Sequence, residues 1–142
     1  MYATGQQANT HSTGPTPRRL VIALCVLVLT DLVGGLVAVR SGVNTWGEAW
    51  GSKALLAAPA PMIVAQVVLT FVAVRFTGRR AAVAAGLLAV ACFVSVISGF
   101  FDGGIGNDEL TRGLSAYQVM LLVVTTVVGT VAAVRAREAR RS

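Results

Sequence analysis

Four long stretches of apolar residues constrain the fold of this chain more than any other feature. Each contains about the 20 residues that a helix needs to cross a hydrocarbon core, and they cover residues 20–39, 54–74, 81–101 and 114–134. The stretches are apolar around the whole helix circumference, unlike surface helices, and are longer than the strands of membrane barrels, which alternate over about 10 residues. The sequence therefore predicts an all-α integral membrane protein, a four-transmembrane-helix bundle.

The composition also indicates that lipid surrounds the protein. Hydrophobic residues make up 55% of the 142 residues and charged residues only 13%, about half the charged fraction of a typical soluble domain. This is too little charge to cover a water-exposed surface, and too much apolar sequence for a disordered chain. Cys25 and Cys92 lie inside apolar stretches without metal-like spacing, so we expect both to be small buried residues.

The charges at the ends of the stretches predict the orientation. Nine Arg residues precede the first stretch, join the second to the third, or follow the fourth, whereas the other side carries only Arg40, Lys53 and Arg112. Because basic residues are retained on the cytoplasmic side, both termini are predicted to be cytoplasmic. The Ala-, Val- and Arg-rich composition favours the cell membrane of a bacterium. The predicted division is a disordered polar cytoplasmic tail, a four-span transmembrane domain and a basic cytoplasmic tail, at residues 1–18, 19–135 and 136–142.

Asp31 is the most informative residue, because it lies near the middle of the first stretch. On insertion scales a central Asp costs about 2.5–3.5 kcal/mol, and the thirteen Leu, Val and Ile residues of its stretch offset this with on the order of 5 kcal/mol. Acids at this depth often mark proton, cation or substrate pathways. A protonated Asp31 that donates a hydrogen bond between helices is the other interpretation, and the sequence leaves both open.

Small and polar residues recur every three or four positions in the later stretches, which is typical of the interior of a membrane bundle. By depth, we expect Gln66, Thr125 and Thr126 to be the hydrogen-bond partners of Asp31. The full stripes comprise Pro59, Met62, Gln66, Thr70 and Ala73 in the second stretch, Ala85, Ala89, Cys92, Ser95 and Gly99 in the third, and Gln118, Thr125, Gly129 and either Ala132 or Ala133 in the fourth.

Small residues also lie beside Asp31 on its own helix face. Gly34, Gly35 and Ala38 are three, four and seven positions after it, and a small-xxx-small spacing lets membrane helices approach closely. We therefore predict that these three residues, together with Gly129 of the fourth stretch, pack helix against helix.

Three features of the connecting segments remain. Trp46 and Trp50 are four apart and are predicted to share one face of a short helix that anchors at the lipid headgroups. Pro59 and Pro61 indicate either a kink or a helix that starts further along the chain. Residues 102–109 contain three carboxylates and three glycines, which is consistent with a plain turn or with a site for a hard cation.

The sequence contains no nucleophile beside a base, no cluster of metal ligands and no phosphate-binding loop. We therefore expect no enzyme activity, no cofactor, no bound metal and no nucleic-acid partner. The leading hypothesis is a small non-enzymatic membrane protein with a structural or interaction role, whose partners are the lipid bilayer and either further copies of itself or another membrane protein. The alternative is a proton-coupled small-molecule transporter that uses the intramembrane carboxylate Asp31.

Overall fold

The computed structural model describes residues 15–51, 54, 56–101 and 111–141. Over this part of the chain the fold consists of four α-helices and no β-strand, namely α1 (Pro15–Arg40), α2 (Ala60–Arg75), α3 (Gly78–Phe101) and α4 (Arg112–Arg141). Three of these helices, α1, α3 and α4, are long and apolar enough to cross a membrane, whereas α2 is an apolar helix of only 16 residues. The all-helical class is therefore confirmed over these residues, with three helices of spanning length.

The outer boundaries of the bundle differ from those predicted. Helix α1 already begins at Pro15, so residues 15–18 are helical where we expected the end of a disordered tail. A tertiary contact accounts for the difference, because the Thr16 hydroxyl donates a hydrogen bond of 2.9 Å to Oε1 of Glu138 near the end of α4. Helix α4 in turn continues to Arg141 through most of the predicted basic tail. Residues 1–14 lie outside the described residues.

Helix α2 begins six residues later than predicted because of two prolines. Proline disfavours the helical conformation in the residue before it and is favoured in the first turn of a helix, where a missing N–H does no harm. Pro59 immediately precedes α2 with φ −55° and ψ 140°, and Pro61 lies in its first turn. The N–H of Ala60 donates to the carbonyl of Trp50 at 3.0 Å. The backbone before α2 is consequently non-helical and runs beside α1.

Two glycines with left-handed backbone conformations mark helix ends. Gly42, with φ 74°, follows α1, and Gly78, with φ 61°, is the first residue of α3. Glycine adopts this conformation without the steric penalty of a Cβ atom. Only Phe76 and Thr77 separate α2 from α3, so these two helices are antiparallel neighbours.

The helices pack in chain order, and α4 closes the arrangement against α1. The contact between α3 and α4 is the most extensive of the four, and that between α1 and α2 is the least extensive. We call one end of the bundle the basic end and the other the loop end. The basic end holds Pro15, Arg75, Gly78 and Arg141, and the loop end holds Arg40, Ala60, Phe101 and Arg112.

The half of the bundle near the basic end is closely packed. A Cβ atom added to Gly129 of α4 would lie 3.0 Å from the Cβ atom of Cys92 on α3, so the two helices meet without a side chain between them. Cys92 is buried, as predicted, but Cys25 is exposed. The prediction for Cys25 is wrong because α1 turns only one face to the bundle. The main core cluster contains Leu20, Leu27, Ala73, Ala84, Ala85, Leu88, Ala89, Cys92, Val128, Ala132 and Ala136.

Candidate functional site

A cavity of about 270 Å³ lies in the half of the bundle near the loop end. All four helices contribute to its wall, together with the non-helical residues that precede α2. Among the described residues that line it there is no Lys and no Arg. The polar side chains of the wall are Asp31, Gln66, Ser95, Ser98, Gln118 and Thr125.

Asp31 is 1% exposed and occupies the wall of this cavity. Its Oδ1 accepts a hydrogen bond of 2.9 Å from the N–H of Ala58. This N–H is available because Ala58 precedes Pro59 and lies outside α2. The other oxygen, Oδ2, is buried without a hydrogen-bond partner in the part of the chain that the structure describes. Because a carboxylate accepts hydrogen bonds at both oxygens, half of its capacity is unused.

Two glutamines add further unpaired acceptors to the same wall. Gln66 of α2 is 2% exposed and Gln118 of α4 is 7% exposed. The Oε1 atom of each is buried, and neither finds a donor among the described residues. A buried polar atom without a partner costs about 1–3 kcal/mol, so a group that donates hydrogen bonds to these oxygens would stabilise the fold.

Two hydroxyl groups of the wall use their protons elsewhere. Thr125 donates its proton to the carbonyl of Leu121 at 2.8 Å, and Ser95 donates to the carbonyl of Ala91 at 2.9 Å. Since each of these hydroxyls uses its proton on its own helix, it has lone pairs but no proton left for a ligand. The site is therefore rich in acceptors and suits a ligand that donates hydrogen bonds and carries positive charge.

The structure brings together two of the three partners predicted for Asp31. Gln66 and Thr125 line the cavity with it, whereas Thr126 is exposed and donates to the carbonyl of Leu122 at 2.8 Å. Successive helix residues point about 100° apart, so only one of two adjacent threonines can face the interior. In the structure Gln118 replaces Thr126 in the site. Its position on the stripe was visible in the sequence, but the choice of partners by depth did not include it.

The small residues beside Asp31 make a slot on α1, but no helix backbone fills it. A Cβ atom added to Gly34 would lie 1.9 Å from the carbonyl oxygen of Leu56, in the segment before α2. A Cβ atom on Gly35 would lie 2.6 Å from the Trp50 ring. Ala38 is buried in a small cluster with Leu56. These residues admit the segment before α2 and, at Gly34, also the Tyr117 ring of α4.

The same slot changes the interpretation of the tryptophans. Trp46 is 64% exposed, whereas Trp50 is partly buried with its ring against Gly35. Residues 46–50 form turns, so the two rings do not share one face of a short helix as predicted. Because Gly35 has no side chain, the Trp50 ring can pack against α1.

Tyr117 is a residue of this region that the sequence did not single out. Its hydroxyl donates a hydrogen bond to the carbonyl of Thr30, one residue before Asp31. Its ring also lies against Gly34, so the absence of a side chain there lets α4 reach α1. Tyr117 thereby holds α1 and α4 together beside the carboxylate.

The cation hypothesis for residues 102–109 falls outside the described residues. Within the described ranges, no three His, Cys, Asp or Glu side chains lie close enough together to hold a metal ion.

Comparisons of the chain with protein-family models, with curated proteins and with solved structures find no match. The function must therefore be inferred from the geometry of the cavity.

Proposed function

We propose that this protein is a carrier in the cell membrane that binds a proton or a small cationic solute at Asp31. The observation that supports the proposal is the Oδ2 atom of Asp31, which is buried without a donor among the described residues, in a cavity whose described lining contains no basic residue. A carboxylate at membrane depth is costly unless something compensates its charge. A proton and a solute cation can each do so, and their competition for one carboxylate would couple their movement across the membrane.

The proposal includes a bilayer that the chain crosses four times. At 1.5 Å per residue α1, α3 and α4 are each longer than the hydrocarbon core of about 30 Å, whereas α2 measures about 24 Å. The non-helical residues before α2 complete its crossing. Irregular backbone is tolerated at that depth when it is buried in protein or lines a cavity. The bond from Ala58 to Asp31 and the complete burial of Leu56 meet this condition.

The proposed orientation has both termini in the cytoplasm. Nine arginines lie near the basic end, in the first turns of α1, at the facing ends of α2 and α3 and in the last turns of α4, whereas Arg40 and Arg112 lie at the loop end. The positive-inside tendency favours the basic end on the cytoplasmic side. The cavity then lies in the outer half of the membrane.

Proteoliposomes that contain the purified full chain and an internal pH dye test the carrier function. External guanidinium, choline, tetramethylammonium and ethylammonium are added one at a time. We expect at least one cation to change the internal pH beyond the response of protein-free vesicles. Asp31→Asn should abolish this response, and Thr126→Val, which removes a hydroxyl outside the cavity, should preserve it. Responses equal to those of protein-free vesicles, or unchanged in Asp31→Asn, contradict the proposal.

A second candidate function is a non-enzymatic structural or interaction component of the membrane. The hydrogen bond from Ala58 to Oδ1 supports it, because Asp31 then serves to fasten the segment before α2. The slot at Gly34 and Gly35, which we expected to pack against another helix, is already filled within the chain. A partner chain or a further copy must therefore use another face. Under this function Asp31→Asn changes stability or assembly without changing any solute response.

A further inference from the structure

We propose that the Asp31 cavity selects primary ammonium compounds, R–NH₃⁺, over cations that lack N–H donors. This inference rests on the proposed function in that the cavity must bind a solute, and it names the chemical class of that solute.

The inference rests on the number of unpaired hydrogen-bond acceptors in the cavity wall. Three residues of the wall, each on a different helix, carry one buried oxygen without a donor among the described residues, namely Oδ2 of Asp31, Oε1 of Gln66 and Oε1 of Gln118. A primary ammonium group has three N–H donors. It therefore supplies as many donors as the wall has unpaired oxygens and compensates the charge of the carboxylate. A quaternary ammonium ion brings the charge but leaves the glutamine oxygens unpaired.

The rest of the wall distinguishes an organic ammonium compound from a bare metal ion. A metal ion requires a close shell of oxygen ligands. Here the wall also contains Leu27, Leu121 and Leu122, and the Met62 sulfur lies 3.4 Å from the Ser95 hydroxyl. These groups suit the apolar part of an organic cation. The volume of about 270 Å³ lies just below the range of about 300–1,000 Å³ for drug-sized ligands, so the solute is a small amine.

Butylammonium chloride and butyltrimethylammonium chloride provide a matched pair of probes, because they share the charge and the alkyl chain and differ in N–H donors. Binding to the purified full chain in detergent is measured by titration calorimetry and by the shift of the thermal unfolding midpoint. We expect butylammonium to bind and to raise the midpoint. We expect butyltrimethylammonium to bind at least about tenfold more weakly.

Variants of the wall test each acceptor separately. Gln66→Leu and Gln118→Leu should each weaken butylammonium binding about tenfold, since each removes a hydrogen bond to a charged group. Neither should destabilise the ligand-free protein, because each also removes a buried unpaired oxygen. Asp31→Asn should abolish binding, and Thr126→Val should leave it unchanged. Far-UV circular dichroism checks that every variant is folded.

The outcomes separate this inference from the carrier function. Equal affinity for the two probes, or a midpoint that NaCl alone raises with no further effect of butylammonium, overturns the ammonium assignment. Selective butylammonium binding without flux in vesicles leaves the assignment intact and overturns the carrier function. Flux of tetramethylammonium equal to that of ethylammonium supports a carrier and overturns the selectivity.

Discussion

The two halves of the bundle are made from the same four helices but are filled in opposite ways. Near the basic end, Leu20, Leu88 and Val128 are fully buried among alanines. Near the loop end, Asp31 and two glutamines surround a cavity. The difference follows from α2. This helix runs through the half near the basic end, but its first residue is Ala60, so non-helical residues take its place in part of the half near the loop end. A helix shortened by two prolines thus leaves a polar cavity in an otherwise closely packed bundle.

The comparison also separates two sources of stability. Between membrane helices close packing is a main source, since lipid tails are as apolar as the side chains. The half near the basic end uses small residues for this purpose. The half near the loop end depends on specific contacts between α1 and the segment before α2, and retains buried polar atoms without partners among the described residues.

The largest effect is expected where the connecting segment touches α1. Gly34→Ala places a Cβ atom 1.9 Å from the backbone oxygen of Leu56, so the segment must move. We expect a loss of about 3 kcal/mol in the free energy of unfolding, the upper end of typical overpacking effects, measured by denaturant titration in detergent. The matched control is Gly86→Ala, since no atom lies within 4 Å of a Cβ added there. Equal stability of the two variants would show that the segment does not lie against Gly34.

The second effect tests packing near the basic end. Leu88 is fully buried on α3, whereas its neighbour Leu87 is 54% exposed. Leu88→Ala should leave a cavity and reduce the free energy of unfolding by about 2 kcal/mol. Leu87→Ala should change it by less than about 0.5 kcal/mol, because its side chain faces outwards. The same denaturant titration compares them, and a larger loss for Leu87→Ala would contradict the assigned helix face.

Much of the fold was predictable, because the length of an apolar stretch and the spacing of side chains within it are local properties of the sequence. The length of the apolar stretches located all four helices. The recurrence of small and polar residues every three or four positions correctly predicted the burial of Gln66, Thr70 and Ala73 on α2.

The contacts of the connecting segment were not predictable from these patterns. Pro59 and Pro61 were compatible with a kink or with a later helix start, and only the tertiary structure selects the later start. The contact of Trp50 with Gly35 joins a loop to a helix, and no sequence period encodes such a pair.

The third prediction concerns the oxygen of Asp31 that accepts the hydrogen bond from Ala58. Asp31→Asn keeps an oxygen that can accept the N–H of Ala58, whereas Asp31→Leu leaves that N–H without its partner. We expect Asp31→Leu to be about 1–2 kcal/mol less stable than Asp31→Asn, by denaturant titration of both variants without added solute. If Asp31→Leu were the more stable variant, the bond to Ala58 would not stabilise the segment.

The smallest effect concerns the tie between the first and last helices at the basic end. Thr16→Val removes the hydrogen bond to Glu138 and should cost about 0.5–1 kcal/mol. Thr130→Val is the matched control, because Thr130 is exposed and its hydroxyl bonds only within α4. Hydrogen exchange of the first turn of α1 should increase in Thr16→Val alone, and unchanged exchange would show that this contact does not hold the turn in place.

Thiol labelling in the two halves of α3 tests most directly the central claim, a cavity near the loop end that attracts cations. Ser95 lines the cavity, and Leu88 lies two turns earlier in the packed core. In a Cys25→Ser, Cys92→Ala background, S95C should react faster with 2-aminoethyl methanethiosulfonate than with the neutral 2-hydroxyethyl reagent. This preference should disappear in Asp31→Asn, and L88C should remain unreactive. Equal reactivity at the two positions, or a preference that persists without the carboxylate, would contradict the account.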